Sequence, residues 1–142
     1  MDHTFFLIIK AARPRQWIKN LALYAALVFS GFFFYDFPRY FFTVTKAFVL
    51  FSALSSSIYI INDIIDLKSD RQHPFKKNRP IASGKLPIPI ALFFAIAGLV
   101  SVFFFSLTFS SYFLLLTIAY AALHLFYSFS LKHIPILDVM AI

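Results

Sequence analysis

The sequence contains no cysteine and no glutamate, and charged residues make up only 13% of its 142 residues. Without cysteine, the chain has no disulfide, thiolate nucleophile or thiolate metal ligand. A soluble domain is usually about one-quarter charged and about one-half apolar, whereas this chain is 61% hydrophobic and 20% aromatic. The composition therefore argues against a soluble enzyme, a nucleic-acid-binding protein or a disordered tail. It predicts an integral membrane protein in contact with membrane lipids, with no nucleic acid among its partners.

Long apolar runs are abundant. Four segments approach the roughly 20 residues that a helix needs to cross a bilayer: Trp17–Tyr35, Tyr40–Asn62, Ile88–Phe109 and Tyr112–Leu131. A fifth run starts at Ile134 and reaches only the last residue, so we expect residues 1–142 to be the N-terminal part of a longer protein. The predicted fold is an all-α, polytopic transmembrane helical bundle with four complete spans and the start of a fifth.

The basic residues predict how the spans are oriented. Most of the 13 Lys and Arg residues lie near the N-terminus, between the second and third spans or after the fourth, and Arg39 and Lys46 lie on the other side. Because basic residues favour the cytoplasmic side, the N-terminus and the loop at about residues 63–87 are predicted to be cytoplasmic.

Basic residues also separate the first apolar patch, Phe5–Ile9, from the first span, which favours an interfacial helix over a cleaved signal peptide.

Acidic residues are concentrated at the end of the second predicted span. Asp63, Asp66 and Asp70 fall within eight positions, directly after Asn62. If the helix continues, a rotation of about 100° per residue places Asn62, Asp66 and Asp70 at i, i+4 and i+8, with Asp63 near the same face. Carboxylates stacked in this way repel one another and are costly to desolvate beside a membrane. A divalent cation would relieve both costs, and these oxygen ligands suit Mg²⁺.

A simpler interpretation of the acidic cluster is a solvated helix end whose carboxylates pair with Lys68 and Arg71. A site for a metal and phosphates is favoured because the cluster lies between an apolar span and a strongly basic loop. Zinc is disfavoured, since the chain has no thiolate and the nearest histidine, His73, lies beyond the cluster.

The loop that follows carries several basic residues, which are separated by Pro74, Pro80 and Gly84: Lys76, Lys77, Arg79 and Lys85. Proline and glycine break the helix and define turns. A short basic loop facing a metal site is suited to a pyrophosphate, because Arg and Lys neutralise the leaving group as it departs. The alternative is that these charges only determine topology, and for Lys85 both interpretations stay open.

The acidic segment resembles the first aspartate-rich motif, Asn-Asp-x-x-Asp-x-x-x-Asp, of the UbiA-type intramembrane prenyltransferase superfamily. Four residues match it position by position: Asn62, Asp63, Asp66 and Asp70. Residues 13–20 and 70–84 resemble one branch, the decaprenyl-phosphate phosphoribosyltransferases. The stretch Tyr127–Lys132, followed by Asp138, is similar to the family's Tyr/Lys element, with a longer Tyr–Lys separation than in aromatic prenyltransferases. The resemblance covers essentially the whole chain.

The resemblance implies an all-α membrane transferase that moves phosphoribose from phosphoribosyl pyrophosphate to a polyprenyl phosphate in a bacterial cell membrane. It assigns Mg²⁺ to Asn62, Asp66 and Asp70, with Asp63 in support. The phosphates are assigned to basic side chains: Lys19, Arg71, Lys76, Lys77, Arg79 and Lys132. Asp66, Asp70 and Lys132 are the expected catalytic residues. The family's second aspartate-rich motif would lie beyond residue 142, so residues 1–142 alone are expected to be inactive.

Three other functions stay open. The first uses the same acidic chemistry to transfer a polyprenyl chain from its pyrophosphate to an aromatic or other acceptor. The second is a channel or transporter, for which Lys46 in the second span and His124 in the fourth are the candidate ionisable residues. The third, a non-catalytic membrane scaffold, leaves the acidic face without a role.

Overall fold

The structure, a computed structural model, describes residues 3–129, and all regular structure within that range is helical. The helices are α1 (His3–Ala12), α2 (Ala22–Phe29), α3 (Phe32–Tyr35), α4 (Phe37–Ile65), α5 (Leu67–Gln72), α6 (Ile88–Ser106) and α7 (Ser111–Phe129). Two 3₁₀ helices lie between them, Pro14–Leu21 and Lys76–Asn78. The predicted all-α class is confirmed.

The long helix α4 is the centre of the bundle and packs against α1, α2, α6 and α7. Pro38 lies in its first turn, where the N–H that proline lacks would have no helical acceptor. Near the end of α4, one apolar cluster joins Ile60 to α1, to α6 and to the loop that precedes α6. A second cluster joins Leu54 and Ile58 to α6 and α7. These clusters place the acidic end of α4 beside α1 and the basic loop.

Three helices of the described range are long and apolar enough to cross a membrane: Phe37–Ile65, Ile88–Ser106 and Ser111–Ser128. They correspond to the second, third and fourth predicted spans, so the prediction of helices there is confirmed. Large apolar side chains such as Phe93, Phe104 and Leu115 are exposed on them, as expected for surfaces that contact lipid. These helices support an integral membrane protein.

The first predicted span, Trp17–Tyr35, is not one continuous helix. It begins within the first 3₁₀ helix, which ends at Leu21, and continues as the two short helices α2 and α3. Gly31 separates α2 from α3 with a φ of +78°, a left-handed conformation that glycine adopts without a steric penalty. The prediction of a single membrane-spanning helix is therefore not confirmed for this segment. The predicted start of a fifth span, at Ile134, lies outside the described residues.

Gly98 marks a close approach between α6 and α4. A Cβ atom at this position would lie 2.3 Å from Ser57 Oγ but 3.6 Å from Ser57 Cβ. We expect Gly98→Ala to lower the free energy of unfolding by about 1 kcal/mol, because the methyl group forces the Ser57 hydroxyl away from its hydrogen bond to the Ala53 carbonyl oxygen or pushes the helices apart. Thermal or denaturant unfolding of the detergent-solubilised full-length protein, followed by circular dichroism, measures this change.

The matched control for Gly98→Ala is the double variant Ser57→Ala/Gly98→Ala. Removing the Ser57 hydroxyl leaves an ordinary contact at this position, and alanine is a better helix former than glycine. The double variant should therefore be at least as stable as Ser57→Ala alone. Equal destabilisation by Gly98→Ala with and without the hydroxyl would contradict the proposed steric cause.

Candidate functional site

The acidic motif spans the junction between α4 and α5. Helix α4 ends at Ile65, Asp66 lies between the two helices, and Asp70 lies in α5. Asp66, with φ −83° and ψ 6°, interrupts the helix, but two backbone hydrogen bonds with four-residue spacing bridge the interruption. The Asp66 N–H donates to the Asn62 carbonyl oxygen at 2.9 Å, and the Asp70 N–H donates to the Asp66 carbonyl oxygen at 2.8 Å. Asn62, Asp66 and Asp70 are thus linked one turn apart, as the sequence predicts, although the helix is interrupted at Asp66.

The side chains of the motif differ in burial. Asp63 is 3% exposed and Asp70 is 1% exposed, whereas Asn62 and Asp66 are half-buried. A buried carboxylate is costly to desolvate unless it has a cationic or hydrogen-bonding partner. The two buried acids therefore require partners from other parts of the chain.

Two arginines supply these partners. Arg79 Nη1 lies 2.5 Å from Asp70 Oδ2 and 3.2 Å from Asp63 Oδ1. Arg13 donates through Nη2 to the same Asp63 oxygen. The four side chains form a continuous series of ion pairs, Arg13–Asp63–Arg79–Asp70. We call this series the arginine–aspartate network.

The first half of the basic loop presents lysines to solvent. Lys76 and Lys77 lie in the second 3₁₀ helix and are exposed. The preceding turn is ordered by His73, whose Nδ1 accepts hydrogen bonds from the backbone N–H groups of Phe75 (3.2 Å) and Lys76 (3.3 Å). Both lysines are therefore accessible to a soluble anionic ligand.

The second half of the loop is folded back and anchored. The Leu86 N–H donates to the Pro80 carbonyl oxygen at 2.9 Å, and Arg71 Nε donates to the Ala82 carbonyl oxygen at 3.3 Å. Gly84 adopts a φ of +75°, which a residue with a side chain would adopt only with strain. These features fix the part of the loop that begins with Arg79 of the arginine–aspartate network.

The first 3₁₀ helix is fixed to the middle of α4. Trp17 Nε1 donates to Ser56 Oγ at 2.9 Å, and Asn20 Nδ2 donates to Ser52 Oγ at 3.1 Å. Lys19, a predicted phosphate-binding residue, is exposed on this helix. The anchored helix therefore holds Lys19 at a defined position on the protein surface.

Sequence reasoning missed two contacts of the acidic motif. Arg13 belongs to the network, although the sequence indicates only a basic residue within the stretch 13–20 and assigns it no role at the acidic motif. Ser128 of α7 is buried, and its Oγ lies 2.6 Å from Asn62 Oδ1 and 2.9 Å from the His124 carbonyl oxygen. Neither long-range contact has a signal in local spacing. Lys132, a predicted catalytic and phosphate-binding residue, lies outside the described residues.

The donor chemistry of the motif fits a magnesium-type ion. Asp66 has carboxylate oxygens, and Asn62 Oδ1, which accepts from Ser128 Oγ, has a second lone pair. The arginines engage Oδ1 of Asp63 and Oδ2 of Asp70. Within residues 3–129, no three His, Cys, Asp or Glu side chains form a ready metal cluster. Mg²⁺ commonly binds through one or two carboxylates, several waters and substrate phosphates, so it does not require such a cluster.

Comparison with known proteins supports the resemblance. The sequence model of the UbiA prenyltransferase family matches residues 21–142. The decaprenyl-phosphate phosphoribosyltransferase of Mycolicibacterium smegmatis is 43% identical over 137 residues, which cover 93% of this chain and 42% of the relative. The enzyme of the same name from Mycobacterium tuberculosis is 35% identical, over 95% of this chain and 45% of the relative. The one from Corynebacterium glutamicum is 40% identical, over 93% of this chain and 40% of the relative. This chain thus spans less than half the length of these relatives.

Proposed function

This chain belongs to the UbiA prenyltransferase family, and we propose that it acts in an integral membrane transferase that moves phosphoribose from phosphoribosyl pyrophosphate to a polyprenyl phosphate. The observation that carries the proposal is 35–43% identity, over more than nine-tenths of this chain, to proteins named decaprenyl-phosphate phosphoribosyltransferase. The bacterial sources of these relatives support a bacterial cell membrane as its location. The distribution of basic residues supports a cytoplasmic N-terminus and motif loop.

The acidic motif is the proposed metal site. Members of the family generally use a divalent metal ion, and the oxygen donors of this chain favour Mg²⁺. Asn62, Asp66 and Asp70 would hold the ion, with Asp63 in support. When bound, the ion would neutralise charge on the pyrophosphate of the donor.

Basic side chains bind the phosphates of the donor in this proposal. Lys76 and Lys77 are exposed on the loop, and Lys19, Arg71 and Lys132 complete the set together with Arg79. A guanidinium has five N–H donors, so Arg79 can keep its contacts with Asp63 and Asp70 and still donate to a phosphate oxygen.

The reaction exchanges one oxygen substituent on the ribose for another. The bond between the anomeric carbon and the pyrophosphate oxygen breaks, and pyrophosphate leaves with the bonding electrons. The ribose carbon becomes oxocarbenium-like, and a phosphate oxygen of the polyprenyl phosphate bonds to it. The basic side chains favour this step because they stabilise the charge of the departing pyrophosphate.

The position of the site suits one soluble and one lipid substrate. The acidic motif begins in the last turn of an apolar helix long enough to span a bilayer, and exposed lysines lie in the loop beyond it. A water-soluble donor can therefore approach from the loop, while a lipid phosphate approaches along the membrane interface.

A second candidate reaction is transfer of a polyprenyl chain from polyprenyl pyrophosphate to an aromatic or other acceptor. The description of the matching family, a prenyltransferase family, favours this candidate. Both reactions release pyrophosphate, so the identity of the donor separates them.

The test is a donor-consumption assay with the purified full-length protein in proteoliposomes that contain polyprenyl phosphate. Release of pyrophosphate is measured from phosphoribosyl pyrophosphate and, separately, from polyprenyl pyrophosphate in the presence of an added aromatic acceptor. We expect consumption of phosphoribosyl pyrophosphate that stops in excess chelator and returns with added Mg²⁺. Consumption of the polyprenyl donor alone would favour the second reaction, and undiminished turnover in chelator would exclude the metal site.

A further inference from the structure

Arg13 has an unusual backbone conformation. Within residues 3–129 it is the one non-glycine residue with a positive φ, at φ 53° and ψ 61°. The left-handed conformation is unfavourable for residues with a Cβ, and a residue before proline normally adopts an extended conformation. Such strained residues persist where surrounding contacts hold them in place.

Two contacts on one face of α4 hold the Arg13 side chain. Its Nη2 donates to Asp63 Oδ1, and its guanidinium carbon lies 5.0 Å from the centroid of the Tyr59 ring. Tyr59 precedes Asp63 by one helical turn, so the ring and the carboxylate lie on the same side of the helix. A cation over an aromatic face is attracted to it, and both contacts therefore favour the same position of Arg13.

Asp63 connects Arg13 to the basic loop. Its Oδ1 also accepts a hydrogen bond from Arg79 Nη1 at 3.2 Å, and the same Nη1 donates to Asp70 Oδ2 at 2.5 Å. The two arginines come from segments on opposite sides of α4 in the sequence, 50 residues before and 16 residues after Asp63. The carboxylate is thus the junction at which the N-terminal segment and the loop meet.

Apolar packing brings the same two segments together. Leu7 and Ala11 of α1 belong to one buried cluster with Ile81 and Leu86 of the loop. In both segments the arginine is close in sequence to the apolar cluster. Arg13 directly follows α1, and Arg79 precedes Ile81 by two residues.

We propose that Arg13 is a positioning residue that, through Asp63, orients Arg79 and holds residues 79–86 of the basic loop against the acidic end of α4. Arg13 touches neither donor nor acceptor in this role. The consequence for catalysis rests on the proposed function: a loop held in place presents Arg79 to the donor phosphates with less loss of conformational entropy on binding.

The direct test is hydrogen–deuterium exchange of the full-length protein in detergent, comparing wild type with Arg13→Gln. We expect exchange in peptides that cover residues 79–86 to accelerate about tenfold, while peptides from α6 and α7 keep their protection. Arg15→Gln is the matched control, since Arg15 is exposed on the same segment, and it should leave the loop unchanged. Unchanged exchange in Arg13→Gln, or equal acceleration in Arg15→Gln, overturns the proposal.

A second variant separates positioning from misfolding. Asp63→Asn removes the charge at the junction without changing side-chain size, and we expect it to accelerate exchange in the same peptides. Arg13→Lys keeps a positive charge and should restore part of the protection that Arg13→Gln loses. Faster exchange throughout all helices in both Arg13→Gln and Asp63→Asn would indicate general destabilisation and would contradict a local role.

A kinetic measurement tests the consequence for the donor. Arg13→Gln should raise the KM for phosphoribosyl pyrophosphate about tenfold with a smaller change in kcat, because it disturbs binding geometry rather than a reacting group. An unchanged KM despite faster loop exchange overturns the link to donor binding. If the wild-type protein does not consume this donor, the proposed function fails, whereas the exchange experiment still decides whether Arg13 positions the loop.

Discussion

Replacing Asp66 by alanine in the full-length protein is expected to reduce pyrophosphate release by about 10²–10³-fold. Asp66 lies at the junction of α4 and α5, one turn from Asn62 and one turn from Asp70. It is half-buried, whereas Asp63 and Asp70 are almost fully buried. Its carboxylate is therefore the most solvent-accessible of the three in the motif, and is well placed for a metal ion that also contacts a soluble substrate. Initial rates at saturating donor and Mg²⁺ measure the effect.

Asp36→Ala is the matched control for Asp66→Ala. Asp36 lies immediately before α4, at the opposite end of the same helix, and makes no side-chain cap bond there. Its removal should leave the rate close to that of the wild type. The two variants are also compared by thermal unfolding, so that a loss of activity is not confused with a loss of fold. Wild-type rates in Asp66→Ala would refute the assigned role of the acidic motif.

Arg79→Ala should lower the free energy of unfolding by about 3–5 kcal/mol, the usual cost of removing one partner from a buried ion pair. Asp70 is 1% exposed and pairs with Arg79. Asp63 keeps Arg13 as a partner in this variant, so the unpaired buried charge falls mainly on Asp70. Denaturant unfolding of the detergent-solubilised protein, followed by circular dichroism, provides the measurement.

Two variants make the Arg79 experiment specific. Lys85→Ala removes an exposed basic residue from the same loop and should change the stability little. Arg79→Ala/Asp70→Asn also removes the buried charge that Arg79→Ala leaves behind, so it should recover part of the lost stability. If the Arg79 and Lys85 variants unfold alike, the arginine–aspartate network does not stabilise the fold.

The helices α4, α6 and α7 were predictable because each coincides with a long apolar run, and run length is a strong signal for a membrane span. The break in the first predicted span was not predictable from its composition. Gly31 and Gly98 both interrupt apolar runs, yet Gly31 ends a helix while Gly98 lies inside α6. The difference depends on tertiary contacts, since Gly98 packs against Ser57 of α4.

The acidic face of the candidate site was predictable for a local reason. Asn62, Asp66 and Asp70 are four residues apart, and two backbone hydrogen bonds link them in turn across the junction of α4 and α5. The ion pairs of the buried acids were not predictable from the sequence. Arg13 and Asp63 are 50 residues apart and no local spacing relates them, and the resemblance assigns Arg79 to the donor phosphates rather than to Asp63 and Asp70. The metal and phosphate roles of these residues stay predictions until the proposed assays are done.

The side-chain bonds from Trp17 and Asn20 to α4 also imply an order of membrane assembly. Helix α2, which follows them, has eight residues and is too short to cross the hydrocarbon layer alone. The serines that accept these bonds, Ser52 and Ser56, are synthesised 32 and 39 residues later than their donors. The N-terminal segment therefore acquires these polar partners only after Ser52 and Ser56 of α4 have been synthesised, and we expect it to pack into place after α4 has formed.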